Sequence, residues 1–287
     1  MKKLTSLLLA GVLAAGVLSG CGNAEGNSSS DSLSSQESGS STEALSGKVS
    51  MSGSTSMEEI AKALAEGFNA KYPDVAIDVQ LGGSSTGVKN AQEGVSDIGN
   101  VSRALKDTET GLDSETIALD GIAVIVNTAN PIEDLSTEQI LKIYTGEIQN
   151  WKDLGGDDAE IQVIGREAGS GTRDGFESVV GIQDNAKHDQ ELTSTGAVQT
   201  AVASTPGAIG YVSLANVDDT VKALKVGGVS PAIETVQDGS YTLQRPFVMV
   251  TKTGTELRPE VKAFLEFALG DEGQSIASQI GLIPLSK

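Results

Sequence analysis

The sequence contains few of the residues on which reactive protein sites usually depend. It has one cysteine, one histidine and only 3% aromatic residues among 287. A single cysteine, Cys21, excludes an intramolecular disulfide and any metal site built from several thiolates. The one histidine, His188, lies among Lys187, Asp189 and Glu191, so we expect its ring to be solvated. We therefore expect neither a bound metal nor a cofactor.

Positive charge is also scarce in this chain. Lysine and arginine number 20 against 39 acidic residues, which gives a formal net charge of −19. A nucleic-acid partner would require a basic surface that releases counterions, so we do not expect one. Any anionic ligand must be held by local groups against the field of the whole protein.

The amino-terminal residues have the pattern of a secretory signal. Lys2 and Lys3 precede an apolar run over 4–18, which is too short for a lasting transmembrane helix. The run ends in the sequence Leu-Ser-Gly-Cys, which resembles the lipobox of bacterial lipoproteins. That resemblance implies cleavage before Cys21 and attachment of lipid, such as palmitate, at its thiol. The alternative is an ordinary signal peptide that ends near a cysteine.

Residues 21–47 differ in composition from the leader and from the rest of the chain. They are largely serine, glycine, asparagine and acidic residues, with almost nothing to bury. Such a segment cannot offset the entropy lost on ordering, so we predict a disordered tether. With the signal peptide at 1–20, about 240 residues from 48 to 287 remain for a folded body.

The body alternates between short apolar strands and amphipathic helices. The pattern predicts strands at 75–81, 122–126, 161–164, 208–212 and 246–250. It predicts helices near 56–71, 86–94, 136–144, 172–181, 195–204, 257–269 and 271–280. Alternation of this kind is typical of an α/β protein in which helices cover a sheet.

Three of the predicted helices begin with a concentration of glycines and hydroxyl residues, at 53–56, 82–87 and 169–172. A helix start offers unpaired backbone N–H groups and a partial positive charge, and glycine lets a ligand approach the backbone. Several converging starts suit a tetrahedral oxyanion. Serine and threonine are also ordinary helix caps, and Glu58 and Glu59 fit a capping pattern in the first turn.

These turns and their surroundings resemble the family of periplasmic phosphate-binding proteins, which serve ABC transporters. The segment Arg-Glu-Ala-Gly-Ser-Gly-Thr-Arg at 166–173 is similar to the phosphate-binding turn of that family. Its first three ligand loops resemble the segments at 53–56, 81–89 and 96–103. The resemblance extends over 48–287 through blocks at 207–211, 245–247 and 281–284.

The resemblance implies a type II periplasmic-binding-protein fold, an α/β fold with two lobes and the ligand in the cleft between them. Lobe I would comprise 48–125 and 246–287, and lobe II would comprise 126–245. The chain would cross between the lobes at 122–127 and 245–250, and the lobes would close on phosphate by a hinge motion.

The resemblance also implies delivery of inorganic phosphate to the permease subunits of an ABC transporter. We expect a monomer that meets the membrane through its lipid anchor only. Its place would be the extracytoplasmic face of the cell membrane, with a Gram-positive bacterium as the expected source.

Carried over by position, the resemblance assigns phosphate contacts to both lobes. They are Thr55, Ser56, Ser84 and Ser102 in lobe I, and Arg166, Ser170, Gly171 and Thr172 in lobe II. Arg166 would be the main charged ligand, because its planar guanidinium matches two phosphate oxygens. Its alternative role is an ion pair with a neighbour such as Glu167. Arg103 is included as a second positive group, with pairing to an acid as the alternative.

One position departs from the family pattern. Some members have an aspartate where Ser102 aligns, and it accepts the proton of hydrogen phosphate and repels sulfate, which has none. Here either a carboxylate from Asp97 or Glu167 takes that role, or serine and backbone oxygens fill it more weakly. We favour the second, because strand-like spacing directs Asp97 elsewhere. Sulfate and molybdate remain alternative ligands.

An enzyme and a binding module for signalling or adhesion are the other classes of function. Residues 83–87 match the G-x-S-x-G nucleophile elbow, and His188 comes later in the chain. His188 lacks the apolar framing of a catalytic loop, however, and the other hydroxyl turns would have no role. We therefore predict a binding protein and not a serine hydrolase. Permease and ATPase genes beside this one would distinguish transport from signalling.

Overall fold

Eleven strands and eight α-helices alternate along residues 45–183 and 185–285, the part of the chain that the structure, a computed structural model, describes. The strands are β1 (Gly47–Gly53), β2 (Val75–Leu81), β3 (Ile98–Val101), β4 (Leu112–Asn127), β5 (Asp134–Leu135), β6 (Gln162–Arg166), β7 (Gln190–Leu192), β8 (Ala208–Ser213), β9 (Val221–Ala223), β10 (Lys225–Val226) and β11 (Gln244–Lys252). The helices are α1 (Glu58–Lys71), α2 (Ser84–Glu93), α3 (Thr137–Tyr144), α4 (Gly171–Val180), α5 (Thr195–Ser204), α6 (Ile233–Gln237), α7 (Pro259–Leu269) and α8 (Asp271–Gln279).

Most strands belong to one mixed sheet, in the order β2-β1-β3-β11-β4-β8-β6-β7, with β9 also joined to β4. β1 lies parallel to β2 and β3, whereas β11 runs antiparallel to β3 and β4. The long strand β4 pairs with β11 over its first part and with β8 from Ile122 onward, so it extends through both halves of the sheet. The three hydroxyl-rich turns lie just beyond the carboxyl ends of β1, β2 and β6, where ligands of α/β proteins usually bind.

Two large clusters of buried side chains divide the hydrophobic core. The first draws on residues 49–118 and 247–282. The second draws on residues 122–243, with Ile283 added from the carboxyl-terminal segment. Each half of the sheet therefore has its own core, and burial of these apolar side chains is the main contribution to its stability.

The α/β class and the predicted helices are confirmed, each helix to within two residues at either end. All five predicted strands are present, although β4 begins at Leu112, well before the predicted start at 122. β1 and β3 were not predicted, because serine, glycine and asparagine interrupt their apolar pattern. The short strands β5, β7, β9 and β10 and the five-residue helix α6 are too brief to show a period.

The capping pattern predicted for α1 is wrong. A 3₁₀ turn over Thr55–Met57 precedes the helix, and no side chain caps either element. The hydroxyl of Ser54 is instead hydrogen-bonded to Ser56 and Ser102. A hydroxyl that could have capped the helix is thus part of a polar cluster with residues far along the chain.

The expectation that His188 is solvated is also wrong. Only 1% of its side chain is exposed, and its ring packs against Tyr144 and Tyr211. The ring occupies space left by Gly165, where a Cβ would lie 2.1 Å from it. Burial, together with the positive charge of Arg173, lowers the pKa of His188, so its ring is neutral at neutral pH.

The predicted signal peptide, Cys21 and the tether up to residue 44 lie outside the described residues. In the described part, no helix combines the length and apolarity that crossing a membrane requires. The same residues contain no group of three or more His, Cys, Asp or Glu side chains placed to hold a metal ion.

Candidate anion-binding site

The starts of helices α2 and α4 face each other at very short range. A Cβ on Gly171, the first residue of α4, would stand 2.2 Å from Ser84 Oγ and 2.6 Å from Ser102 Oγ. The backbone N–H of Ser85 donates to the carbonyl of Gly169 at 3.1 Å. Gly171 is therefore required by close approach, and the remaining N–H groups of the two helix starts lie in the same region.

Seven buried hydroxyl groups surround these helix starts, and we call them the hydroxyl cluster. None is more than 7% exposed, and the members are Ser54, Thr55, Ser56, Ser84, Ser102, Thr172 and Thr195. Four short contacts join five of them. Ser54 Oγ lies 3.0 Å from Ser56 Oγ and 2.8 Å from Ser102 Oγ. Ser56 Oγ lies 3.1 Å from Thr172 Oγ1, and Ser84 Oγ lies 3.3 Å from Ser102 Oγ.

The other two members link the first helix start to a fourth one. Thr55 Oγ1 lies 3.2 Å from Thr195 Oγ1 and also accepts a hydrogen bond from the Thr195 backbone N–H at 3.2 Å. Thr195 is the first residue of α5. Ser170, which precedes α4, accepts from the Arg173 backbone N–H as a helix cap, so its own hydroxyl proton remains available.

Arg166 places a buried positive charge beside the hydroxyl cluster. It is 2% exposed, and it donates to the carbonyls of Leu192 and Thr193 at 3.1 and 3.0 Å and to Thr195 Oγ1 at 3.3 Å. All three acceptors are neutral, and in the described residues no carboxylate forms an ion pair with Arg166. Glu167 acts on it through its charge, without a hydrogen bond. Burial lowers its pKa to about 10, so the guanidinium stays charged at neutral pH.

The guanidinium of Arg103 is directed away from the hydroxyl cluster. It donates to both carboxylate oxygens of Glu109 at 2.7 Å and to Asp174 at 2.8 Å. Asp174 also pairs with Lys106 at 2.8 Å. No hydrogen bond joins the Arg103 side chain to the eight other predicted ligands in the part of the chain that is described. Of its two predicted roles, the geometry favours pairing with acids.

A second buried arginine, Arg245, reaches the hydroxyl cluster from behind. It lies 2.9 and 3.0 Å from Asp120 through two nitrogens, and its third nitrogen donates to Ser102 Oγ at 3.3 Å. Ser213 donates to the other oxygen of Asp120 at 2.7 Å. Burial raises the pKa of Asp120 and lowers that of Arg245, and each charge opposes the shift of the other. The charge of Arg245 is thus matched by its own partner.

Eight of the nine predicted ligands therefore lie around one location: Thr55, Ser56, Ser84, Ser102, Arg166, Ser170, Gly171 and Thr172. Sequence reasoning did not single out Ser54, Thr195 or Arg245. Two signals were available for them, since Ser54 stands in the first hydroxyl turn and Thr195 begins a predicted helix. Nothing local to Arg245 indicated its contact with Ser102, which is 143 residues away.

The arrangement combines neutral donors with one uncompensated charge. Hydroxyls and helix N–H groups surround the site, and no carboxylate among the described residues is hydrogen-bonded to the cluster directly. Such a set suits a tetrahedral oxyanion, because it supplies donors from several directions. It does not suit a serine nucleophile, since His188 Nδ1 faces Glu191 at 3.4 Å and its ring is packed between tyrosines.

The chain is similar in sequence and structure to known binding proteins. A family model described as a PBP superfamily domain matches residues 38–272. The phosphate-binding protein PstS of Bacillus subtilis (strain 168) is 36% identical over 242 residues, covering 80% of this chain and 78% of that protein. The chain also matches a solved putative phosphate ABC transporter substrate-binding protein with bound phosphate from Clostridium perfringens. That structure is 45% identical with a TM-score of 0.80, covering 84% of this chain and 100% of the other.

An ABC-type phosphate transport receptor from Vibrio cholerae is a second solved structure of the same kind. It is 34% identical with a TM-score of 0.70, and the match covers 83% of this chain and 100% of that one. The structural matches cover the whole of both solved chains, and the family match over residues 38–272 includes the strands and turns that form the site. The chain therefore belongs to the PBP superfamily and, within it, to the family of phosphate-binding proteins named PstS, which are ABC transporter substrate-binding proteins and not enzymes.

Proposed function

We propose that this chain binds inorganic phosphate outside the cytoplasm and delivers it to an ABC importer. The observation that carries the proposal is the buried charge of Arg166, which is surrounded by hydroxyls and has no carboxylate partner among the described residues. A buried charge without an opposite charge is costly, so this guanidinium is suited to an anionic ligand. The relatives that carry phosphate in their names supply the identity of the anion.

In this proposal, donors from both sides of the site contact the anion. Arg166 has five N–H groups, and its contacts to Leu192, Thr193 and Thr195 leave two of them for phosphate oxygens. The other ligands are the hydroxyls and helix-start N–H groups of Thr55, Ser56, Ser84, Ser102, Ser170, Gly171 and Thr172. Arg103 has a different role in this proposal: its ion pair with Asp174 connects its own segment to the start of α4.

The proposed lobes are 48–125 with 246–287 and 126–245, with crossings at 122–127 and 245–250. The two core clusters support this division, because each draws its residues almost entirely from one side of it. Contacts such as Ser56 to Thr172 and Thr55 to Thr195 would then form when the lobes close. Hinge closure of this kind surrounds a ligand and excludes water.

The anchor and the partner are inferred from the leader and from the family. Cys21 would carry the lipid, and residues 21–47 would tether a monomeric body to the extracytoplasmic face, where the permease subunits receive phosphate. Cys21→Ala should then abolish lipid labelling while the body still folds. Unchanged labelling in that variant would exclude Cys21 as the lipidation site.

Calorimetric titration of the purified protein with phosphate, arsenate, sulfate and molybdate tests the proposal. We expect one phosphate per chain, with arsenate as the nearest competitor because it shares the shape and protonation of phosphate. Binding of sulfate or molybdate without binding of phosphate would identify a different oxyanion carrier. Heat from none of the four would exclude this class of ligand.

A further inference from the structure

Five members of the hydroxyl cluster form a chain of hydrogen bonds whose direction can be worked out. A guanidinium can only donate, so Arg245 Nη1 donates to Ser102 Oγ, 3.3 Å away. Ser54 Oγ also donates to Ser102 Oγ, at 2.8 Å. Both lone pairs of Ser102 are therefore engaged. Its own proton is directed toward Ser84 Oγ, 3.3 Å away, or toward a bound anion.

The remaining directions are fixed by the single proton that each hydroxyl carries. The Ser54 proton is used on Ser102, so Ser56 is the donor in the 3.0 Å contact between Ser54 and Ser56. The Ser56 proton is then used as well, so Thr172 is the donor in the 3.1 Å contact between Ser56 and Thr172. The series of hydrogen bonds therefore begins at Thr172, whose hydroxyl donates to Ser56 and has both oxygen lone pairs available to accept.

The other end of the chain presents a proton. Ser84 Oγ accepts from the backbone N–H of Ser102 at 3.0 Å and faces the Ser102 hydroxyl. Because the lone pairs of Ser102 are engaged, Ser84 cannot donate to it, and the Ser84 proton is free for an anion. The site thus has a donor end at Ser84 and an acceptor end at Thr172, on helix starts that face each other.

We propose that Arg245 is a specificity-determining residue that sets this direction, so that Thr172 accepts the proton of a bound hydrogen phosphate. Asp120 holds Arg245 in place, with Ser213 on its second oxygen. Thr172 then acts as the proton acceptor, in place of the aspartate that some family members have at the position of Ser102. Sulfate has no proton and would place an oxygen against the lone pairs of Thr172, which disfavours it. This inference rests on the proposed function.

Titration of the purified protein with phosphate and with sulfate tests the inference, at a mildly alkaline pH where both are dianions. Thr172→Val keeps the shape of the side chain and removes the acceptor, so we expect phosphate affinity to fall about tenfold and sulfate affinity to hold or rise. Ser84→Ala is the matched control, because it removes a donor that serves both anions and should weaken both by similar factors. Thr172→Ser keeps the hydroxyl, so this variant should retain the preference for phosphate over sulfate.

Arg245 is tested through a pair of changes that avoids leaving a lone buried charge. In Arg245→Gln with Asp120→Asn, the phosphate-to-sulfate affinity ratio should fall, although neither residue contacts the anion. Circular dichroism and melting curves check that the double variant folds. If Arg245 had a purely structural role, the affinities for phosphate and for sulfate would fall by similar factors.

Three outcomes overturn the inference. They are an unchanged ratio in Thr172→Val, a wild type that binds sulfate as tightly as phosphate, and a double variant that folds and keeps the wild-type ratio. A wild type that does not bind phosphate would instead overturn the proposed function itself.

Discussion

At the scale of single residues, the charge balance of two buried arginines separates their functions. Arg245 is paired with Asp120, and the nearest acceptors of Arg166 are neutral oxygens. A paired guanidinium contributes position and hydrogen-bond direction, whereas an unpaired one attracts an anion. Both side chains are almost fully buried, so burial alone would not distinguish them.

Arg166→Ala should weaken phosphate binding by about 3 kcal/mol, or more than a hundredfold in Kd, because the anion would lose the cationic partner that has no carboxylate of its own among the described residues. Calorimetry measures the change directly. Arg258→Ala is the matched control, since that arginine is half exposed and pairs with Asp97 and Glu260 away from the site. Equal affinities in the two variants would place Arg166 outside the site.

His188 should make the stability of the protein depend on pH in a predictable direction. Its pKa in the native state lies below the ordinary value of 6.5, so the unfolded chain binds the proton more readily. Stability is then full above about pH 6.5 and falls as the pH decreases toward the lower native pKa. Of the charged groups around the ring, Arg173 lowers its pKa, and Glu191 and Asp189 oppose that shift.

Melting temperatures of wild type and His188→Gln between pH 5 and 8 check this prediction. The variant should lose less stability on acidification than the wild type does, since glutamine does not titrate. Parallel curves for the two proteins would show that the pKa of His188 is the same in the native and unfolded states. Carboxylates that do not contact the ring titrate in both proteins, so their effects on stability cancel in the comparison.

At the scale of elements, the helix starts were predictable and their mutual contacts were not. Glycine and hydroxyl residues after an apolar run indicated the starts of α2 and α4 in the sequence, and both are found there. The strands β1 and β3 lacked a readable period because serine interrupts the apolar residues of β1, and glycine and asparagine interrupt those of β3. The role of Arg103 could not be assigned fully from sequence, because one of its two acidic partners, Asp174, is 71 residues away.

Gly171→Ala should impair phosphate binding without unfolding α4. Alanine favours a helix over glycine, yet its Cβ would stand 2.2 Å from Ser84 Oγ and 2.6 Å from Ser102 Oγ. Forcing these apart costs about 1–3 kcal/mol, so we expect affinity to fall tenfold or more. Gly196→Ala is the control, because an added Cβ there meets nothing within 4 Å. Wild-type affinity for Gly171→Ala would show that the two helix starts can separate without loss of the site.

At the scale of the whole molecule, the resemblance to a known family predicted the architecture that local patterns could not. Periodicity indicated an α/β body, but the order of strands in the sheet depends on long-range pairing such as that of β4 with β11. The site is positioned by the two cores, by the large mixed sheet and by the hydroxyl cluster at the turns that follow its strands. Several of the contacts behind those features join residues more than a hundred positions apart, such as Ser56 with Thr172 and Ser102 with Arg245.

The ion pairs of Asp174 should stabilise the proposed closed form, although they are not among the proposed contacts to the anion. Arg103 and Lys106 each lie 2.8 Å from Asp174, and Arg103 is only 6% exposed in its side chain. Asp174→Asn should therefore lower phosphate affinity severalfold, mainly by faster dissociation, and reduce the compaction that phosphate causes in small-angle scattering. Asp158→Asn is the control. It removes an exposed ion pair with Lys152 and should change neither the phosphate affinity nor the compaction. An unchanged dissociation rate in Asp174→Asn would show that these ion pairs do not hold the proposed lobes together.

The location of the bound anion is the most direct test, and arsenate makes it visible through its anomalous scattering in a crystal of the protein. We predict a single peak within hydrogen-bond distance of the Arg166 guanidinium, enclosed by the hydroxyl cluster and the starts of α2 and α4. A peak elsewhere, such as in the groove lined by Arg103, Lys106 and Gln183, or a crystal with no bound arsenate at saturating concentration, would contradict the assignment of this site.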